Sequence, residues 1–243
     1  MDLSIRSQLS DLNRHFYEQF ASSFSATRHQ AQPGVSKLSR RILDSGAVLD
    51  VGCGNGTFSR ALIQNHFKGT YVGVDMAESL LAHAQQMLGN PSKGNYSFKM
   101  VDLENEDWTS ALPAQKYDWL VCFATLHHVP GNESRQRIID DFKRLISKQG
   151  QIALSVWQWQ NSPRLRKRVV PWSTLGLHQD DLEEGDVLLD WRAGDTPGLR
   201  YVHTFSEDEL AELAQKAGLR VVESFYSDGK TGNLALYQVW QIA

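Results

Sequence analysis

The densest chemistry in the chain sits at Val48-Leu49-Asp50-Val51-Gly52-Cys53-Gly54-Asn55-Gly56. Alternating glycines let a backbone turn sharply and approach a ligand with no Cβ in the way. The run lies between an apolar strand-like stretch and a helical one, so its N–H groups at the helix start suit a carboxylate or phosphate. Alone, the pattern fits many nucleotide-like ligands. Three carboxylates narrow it. Asp50 ends the strand before the glycines, where it would repel a pyrophosphate but tolerate an ammonium and a sulfonium. Asp75, about twenty residues past the loop, ends the second strand and can take two ribose hydroxyls. Met76 follows it and can pack on an adenine face. Asp102 ends the third strand, where a carboxylate can accept from an adenine amino group, with Leu103 beside the ring.

These positions together point to S-adenosylmethionine. The expected contacts are Asp50, Gly52, Gly54, Asn55, Gly56, Asp75, Met76, Asp102, Leu103 and Phe123, the last at the end of the fourth strand. Methyl transfer from a sulfonium is an in-line displacement, so the protein mainly aligns the reactants and excludes water. His127 and His128 leave strand four beside the expected methyl, as a base, an acceptor clamp or simple packing. Arg28 could neutralise the methionine carboxylate or hold the acceptor. Tyr17 could cover the cofactor or pack its own helix. His203, with Arg200 and Tyr201, starts a strand on the rim side and could line the acceptor pocket. Trp157 and Trp159 could wall that pocket or pack the insertion after them. Cys53 and Cys122 make neither a disulfide framework nor a zinc-ligand spacing, and no metal site is expected.

These residues need a scaffold that gathers strand ends on one rim. Strands predicted at 47–51, 70–74, 96–101, 117–123 and 151–157 alternate with helices at 57–65, 77–88 and 133–147. Such alternation predicts an α/β fold, a three-layer Rossmann-like arrangement. Its mostly parallel seven-stranded sheet carries an antiparallel C-terminal edge strand. Right-handed crossovers then place the strand C-terminal ends together. A helix through about Phe24 carries Leu9, Leu12, Phe16 and Phe20, and a second carries Val35, Leu38, Ile42 and Leu43, forming a helical lead-in over 1–45. Periodicity fails over 158–199, which reads as an insertion or lid within a single domain spanning 1–243. Its basic block, Arg164-Leu165-Arg166-Lys167-Arg168, could contact phosphates or be a surface loop neutralised by Asp180, Asp181, Glu183 and Glu184. A short strand near Tyr201 and a helix from Ser206 follow, the latter with a capping box through Glu209 and a stop at Gly218. Strands at 219–226 and 234–242 pair antiparallel at one sheet edge.

With 25 basic and 28 acidic residues the net charge is −3, which argues against a uniformly basic nucleic-acid binder but not against a local basic patch. No apolar run approaches the ~20 residues of a membrane span. The N-terminus lacks a basic start and apolar block, so a cytoplasmic location is expected.

The chain resembles the class I methyltransferases, and along nearly its full length one branch of them, the tRNA wobble-uridine carboxymethyl methyltransferases. The residues that carry the likeness are Phe16 to Arg28, Leu126-His127-His128-Val129, Val156-Trp157, Asp190-Trp191 and Arg200 to Phe205. Gly232-Asn233 resembles a Gly-Asn-Trp of that branch, although Leu234 stands where the tryptophan would be. The resemblance implies tRNA as partner, a small zinc-binding activator subunit and a carboxylate as methyl acceptor, which needs no general base. Two other readings fit the same scaffold: a small-molecule O- or N-methyltransferase, and a non-catalytic cofactor-binding partner subunit.

Overall fold

The fold, given by a computed structural model, is described for residues 1–28, 30–42, 46–89, 95–193 and 196–243. Helix α1 (Leu3–Ala26) and helix α2 (Pro33–Ser39) come first; α2 starts with proline at its first turn, where the missing N–H is not needed. Leu43, expected in the second helix, lies outside the described residues. The alternating part runs β1 (Ala47–Val51), α3 (Thr57–Gln64), β2 (Thr70–Asp75), α4 (Glu78–Leu88), β3 (Asn95–Met100), β4 (Tyr117–Phe123), α5 (Asn132–Leu145) and β5 (Ile146–Trp157).

After β5 come a short helix α6 (Pro163–Arg166) and strands β6 (Val169–Val170), β7 (Asp186–Ala193) and β8 (Thr196–His203). Helix α7 (Glu207–Lys216) and strands β9 (Leu219–Ser227) and β10 (Ala235–Ile242) complete the chain. The main sheet has seven strands in the order β3-β2-β1-β4-β5-β10-β9. The first five are parallel, and β10 runs antiparallel between β5 and the edge strand β9.

Side-chain alternation along these strands divides the core between two faces. Leu49, Leu120, Cys122, Ile152, Leu154 and Trp240 point toward α5 and α7, which supply Ile138, Phe142, Leu210 and Leu213. Val48, Val121, Ala153, Tyr237 and Val239 point the other way, toward Val35 and Leu38 of α2 and Phe58 and Leu62 of α3. Both faces are therefore covered, as a parallel sheet requires. Among the described residues no helix is long and apolar enough to cross a membrane.

The stretch 158–199 holds strands that its sequence does not advertise. β6, β7 and β8 form a second, three-stranded antiparallel sheet, in which Leu188 pairs with Tyr201 and Leu189 with Arg200. Leu188 and Leu189 are both buried although they are consecutive, so β7 is covered on both faces and shows no period-two signal. Helix α1 packs on this sheet through Leu9, with Trp172, Leu188 and Tyr201 around it. Asn13 fixes that packing. Its side-chain amide donates to the His128 and Tyr201 carbonyls at 3.0 and 3.1 Å and accepts from the Tyr201 N–H at 2.9 Å. The second sheet and α1 thus form one wall over the rim of the main sheet.

Candidate active site

A cavity of about 220 Å³ opens at the C-terminal ends of the parallel strands, roofed by α1. Strand order divides it. β1 stands between β2 and β4, so the exits of β2 and β3 face one half, and the exits of β4 and β5 face the other. Asp50, Gly52, Gly54, Asn55, Asp75, Met76, Asp102, Leu103, Phe123, Arg28, His127 and His128 all line it. Of the expected site residues, Gly56 and His203 do not. Gly56 precedes α3 with φ +73°, a conformation that favours glycine, and serves the turn.

The glycine loop departs from one expectation. The N–H groups of Gly52 and Cys53 both donate to the Val74 carbonyl at 2.8 and 3.0 Å, and Gly56 donates to Cys53 at 3.0 Å. The Gly54 N–H donates to Asp75 Oδ2 at 2.8 Å. These four donors are used inside the protein and are not available to a phosphate. The loop therefore offers the cavity no such anion nest, and the adjacent charge is Asp50. This carboxyl is buried, and burial pushes its pKa up to about 7 against the opposing hydrogen bond from the Tyr71 hydroxyl, with Asp75 nearby raising it further. A cationic ligand group would favour its ionised form.

Asp75 links the loop to α4. Its Oδ1 accepts from the Ala77 N–H at 2.9 Å while Oδ2 holds Gly54, and burial raises its pKa. Each oxygen keeps a second lone pair for a hydroxyl. Asp102 takes the Arg14 guanidinium at 2.5 Å on Oδ2 and the Glu104 N–H at 2.9 Å on Oδ1, which draws α1 onto the β3 exit. Arg28 comes from beyond α1, its carbonyl accepting from the Asn55 amide at 3.2 Å, so a cation lies beside the glycine loop. Burial lowers its pKa to about 10, and it remains charged at neutral pH. One carboxylate for an ammonium, one cation for a carboxylate and acids at the next two strand exits match the charges of S-adenosylmethionine from end to end.

Comparison with known proteins agrees. Residues 24–224 match the family described as methyltransferase domain. The chain belongs to that family. It is an S-adenosylmethionine-dependent methyltransferase. A tRNA (carboxymethyluridine(34)-5-O)-methyltransferase of Schizosaccharomyces pombe is 23% identical over 219 residues, covering 86% of this chain and 89% of that one. A ubiquinone biosynthesis O-methyltransferase of Coxiella burnetii is 37% identical over 113 residues, 44% of this chain and 42% of that one. Among solved structures, a SAM-dependent methyltransferase from Methanosarcina mazei superposes with a TM-score of 0.64 at 22% identity. It covers 87% of this chain and 98% of that one, a likeness of fold.

The β4–β5 half of the methyltransferase cavity holds its histidines, and their partners fix their tautomers. His128 Nδ1 lies 3.0 Å from the Tyr201 carbonyl and must donate to it, so Nε2 accepts from the Tyr17 hydroxyl at 2.7 Å. Burial, followed by the Arg200 charge, pushes its pKa down to about 3. His127 Nδ1 accepts from the Trp157 N–H at 3.3 Å, which leaves the proton on Nε2. That Nε2–H is buried with no hydrogen-bond partner among the described residues. Burial also holds the His127 pKa well below its ordinary value. Burial favours the neutral form of both rings, and with these partners neither turns a lone pair toward the cavity. Trp157 stacks on His127 at 5.6 Å with 9° between the ring planes, so its wall role is clear, whereas Trp159 donates to Thr204 at 2.7 Å and packs the chain after β5.

His203 is a correction. Side chains alternate along β8, so Arg200 faces the cavity while Tyr201 and His203 face away from it. The Tyr201 hydroxyl and His203 Nδ1 both meet Asp186 Oδ1 at 2.7 Å. His203 Nε2 meets Glu209 at 2.8 Å. Burial opposes protonation of this ring, but the two carboxylates outweigh it and its pKa is raised. Glu209 accordingly completes only half of the expected capping box. Its N–H donates to Ser206 Oγ at 3.0 Å while its carboxylate turns to His203. Glu183, Asp186 and His203 cluster here, but each is held by protein partners, Glu183 by Arg135 at 2.6 Å.

The basic block also lies off the cavity. Arg166 donates to the Gln160 carbonyl at 2.7 Å, and Arg168 pairs with Asp190 at 3.2 Å. Arg135 and Arg137 do not line the cavity either; Arg137 donates to the Leu103 carbonyl at 2.8 Å and so braces the β3 exit. Asn13, Arg14 and Thr125 are among the cavity residues that the sequence does not advertise. Asn13 and Arg14 sit on a helix whose apolar stripe alone was informative. Thr125 matters because a Cβ on Gly52 would lie 2.0 Å from its Oγ1.

Proposed function

We propose that this methyltransferase transfers a methyl group from S-adenosylmethionine to a carboxylate oxygen, on a modified tRNA wobble uridine. The observation that carries the reading is the state of His127 and His128. Each lacks a lone pair facing the cavity, so neither histidine offers the acceptor half a general base. A hydroxyl or protonated amine acceptor would need its proton removed. A carboxylate is already ionised at neutral pH.

S-adenosylmethionine, when bound, supplies an electrophilic methyl on a cationic sulfur. Asp50, Asp75 and Arg28 hold the donor's ends, and the Tyr17–His128 pair keeps α1 closed over it. The acceptor oxygen forms the new C–O bond as the S–CH3 bond breaks, the bonding pair stays on sulfur, and no proton moves. The chain's contribution is alignment and exclusion of water. The tRNA acceptor is supported by the full-length similarity to the S. pombe protein named for carboxymethyluridine. A small zinc-binding activator subunit belongs to the same reading.

A second acceptor class is favoured by one observation. The Arg164 to Arg168 block does not line the cavity, so no basic groove leads into it from that segment. A small carboxylic acid would fit the same chemistry, and partial matches include a trans-aconitate 2-methyltransferase of Streptomyces avermitilis. Labelled donor incubated at low salt with total tRNA, with and without the activator, separates the two. Label in tRNA that mild alkali releases as methanol is the expected result, since a methyl ester hydrolyses there and an ether or N-methyl group does not. Alkali-stable label would overturn the carboxylate reading. Label only in small acids would replace the tRNA acceptor.

A further inference from the structure

Arg200 enters the cavity from β8 and is only 1% exposed. Its guanidinium carbon lies 4.7 Å from the Phe16 ring centroid, 4.8 Å from Trp157 and 4.9 Å from Trp191. Aromatic rings attract a cation through their faces. They give the in-plane N–H groups no strong acceptor. Among the described residues Arg200 has no ion pair, and its buried Nε has no hydrogen-bond partner. Arg135, equally buried, is instead paired with Glu183 at 2.6 Å. Buried charges are ordinarily paired, and this one is framed by aromatic rings in the wall of the site.

A second donor shares that wall. The His127 Nε2–H is also buried and unpartnered, and its ring stacks on the same Trp157 that Arg200 contacts. Arg28, the other cavity cation, lies at the glycine loop and is spoken for by the donor's carboxylate in the reading above. The acceptor half therefore presents a planar cation and one neutral donor. A guanidinium offers parallel N–H groups that match the two oxygens of a carboxylate.

We propose that Arg200, assisted by His127, is the clamp that selects a carboxylate as methyl acceptor and orients it toward the donor. Arg200 takes the acceptor's charge, and His127 fixes the rotation of the carboxylate about its C–C bond. One oxygen lone pair is left free for the methyl. The aromatic frame of Phe16, Trp157 and Trp191 holds the guanidinium rigid without neutralising it, because an internal carboxylate in their place would compete with the acceptor. This rests on the carboxylate reading and adds the residues that impose it.

The test compares two anticodon stem-loop RNAs that differ only in a carboxymethyl or a carbamoylmethyl group on the wobble uridine. Their affinities are measured on protein saturated with S-adenosylhomocysteine, so that no turnover occurs. The wild type is expected to prefer the acid by on the order of 100-fold, the scale for a desolvated charge pair. Arg200→Gln should reduce that preference to within about threefold, while retained binding of S-adenosylhomocysteine shows that the variant is folded with its donor site formed. Arg200→Lys, which keeps the charge but not the fork, should retain an intermediate preference. An unchanged acid preference in folded Arg200→Gln, or a preference lost equally in Arg200→Lys and Arg200→Gln, overturns the clamp. If the wild type yields alkali-labile product and Arg200→Gln still prefers the acid, only the clamp fails. If the wild type shows no preference and no alkali-labile product, the carboxylate reading fails first.

Discussion

The Tyr17 hydroxyl donates to Nε2 of His128 across 2.7 Å, joining the roof helix α1 to the exit of β4. The bond ties closure of the cavity to the tautomer of a ring in its wall. Tyr17→Phe removes it and leaves a buried acceptor unsatisfied, a loss of roughly 1–3 kcal/mol. If closure over the donor depends on it, donor affinity measured by calorimetry should fall about fivefold or more. An unchanged affinity would show that α1 stays seated without this bond.

Asp50 should make donor binding depend on pH. Its folded-state pKa stands at about 7, raised from 3.8 chiefly by burial. Only the ionised form pairs with an ammonium, so affinity should tighten about tenfold between pH 6 and 8. Asp50→Asn should remove that dependence. The sign for stability is opposite. Between about pH 4 and pH 7 the folded protein keeps a proton that the unfolded chain releases, so the free protein loses stability as pH rises, by on the order of 4 kcal/mol, and levels off above. Urea unfolding of Asp50→Asn beside the wild type across that window checks it; parallel curves would mean Asp50 is already ionised.

Two glycines of the loop should respond differently to alanine. Both have positive φ, +74° at Gly52 and +53° at Gly54. The added Cβ meets Thr125 at 2.0 Å in the first case and nothing within 4 Å in the second. Gly54→Ala should therefore cost about 1 kcal/mol from backbone strain alone. Gly52→Ala should cost roughly 3 kcal/mol or more, and lose donor binding, because β4's exit must shift. Equal denaturant midpoints for the two variants would contradict the packing.

His203 should matter to stability and not to acceptor recognition. Held between Asp186 and Glu209, it keeps its proton to higher pH than in the unfolded chain. That contribution is present in full below the unfolded value of 6.5 and fades as pH rises through the raised folded value. His203→Gln should lower the melting temperature at pH 6 by several degrees and less at pH 9. The KM for the acceptor should stay near wild type. A raised KM with an unchanged melting temperature would return His203 to the site.

The cofactor half was legible because it is written locally. Gly52 to Gly56, Asp50, Asp75 and Asp102 sit at strand exits, and an α/β alternation brings such exits together whatever the details. The acceptor half was not, because it depends on the second sheet. Leu188 and Leu189 hide a strand by being buried on consecutive positions, and without β7 and β8 the register of Arg200 and His203 cannot be assigned. A one-residue ambiguity there exchanges which of the two reaches the cavity. The protonation states of His127 and His128 depend on partners as remote as Tyr201 and Trp157, which no spacing reveals.

The most direct test of base-free transfer to a carboxylate is the single-turnover rate of methyl transfer from pH 6 to pH 9, with donor and acceptor both saturating. With the acceptor ionised throughout, and both histidines neutral and donating or bonded, the rate should be level within about twofold. A rate that climbs about tenfold per pH unit through any part of that range would mean a proton is removed during transfer, and would contradict the account.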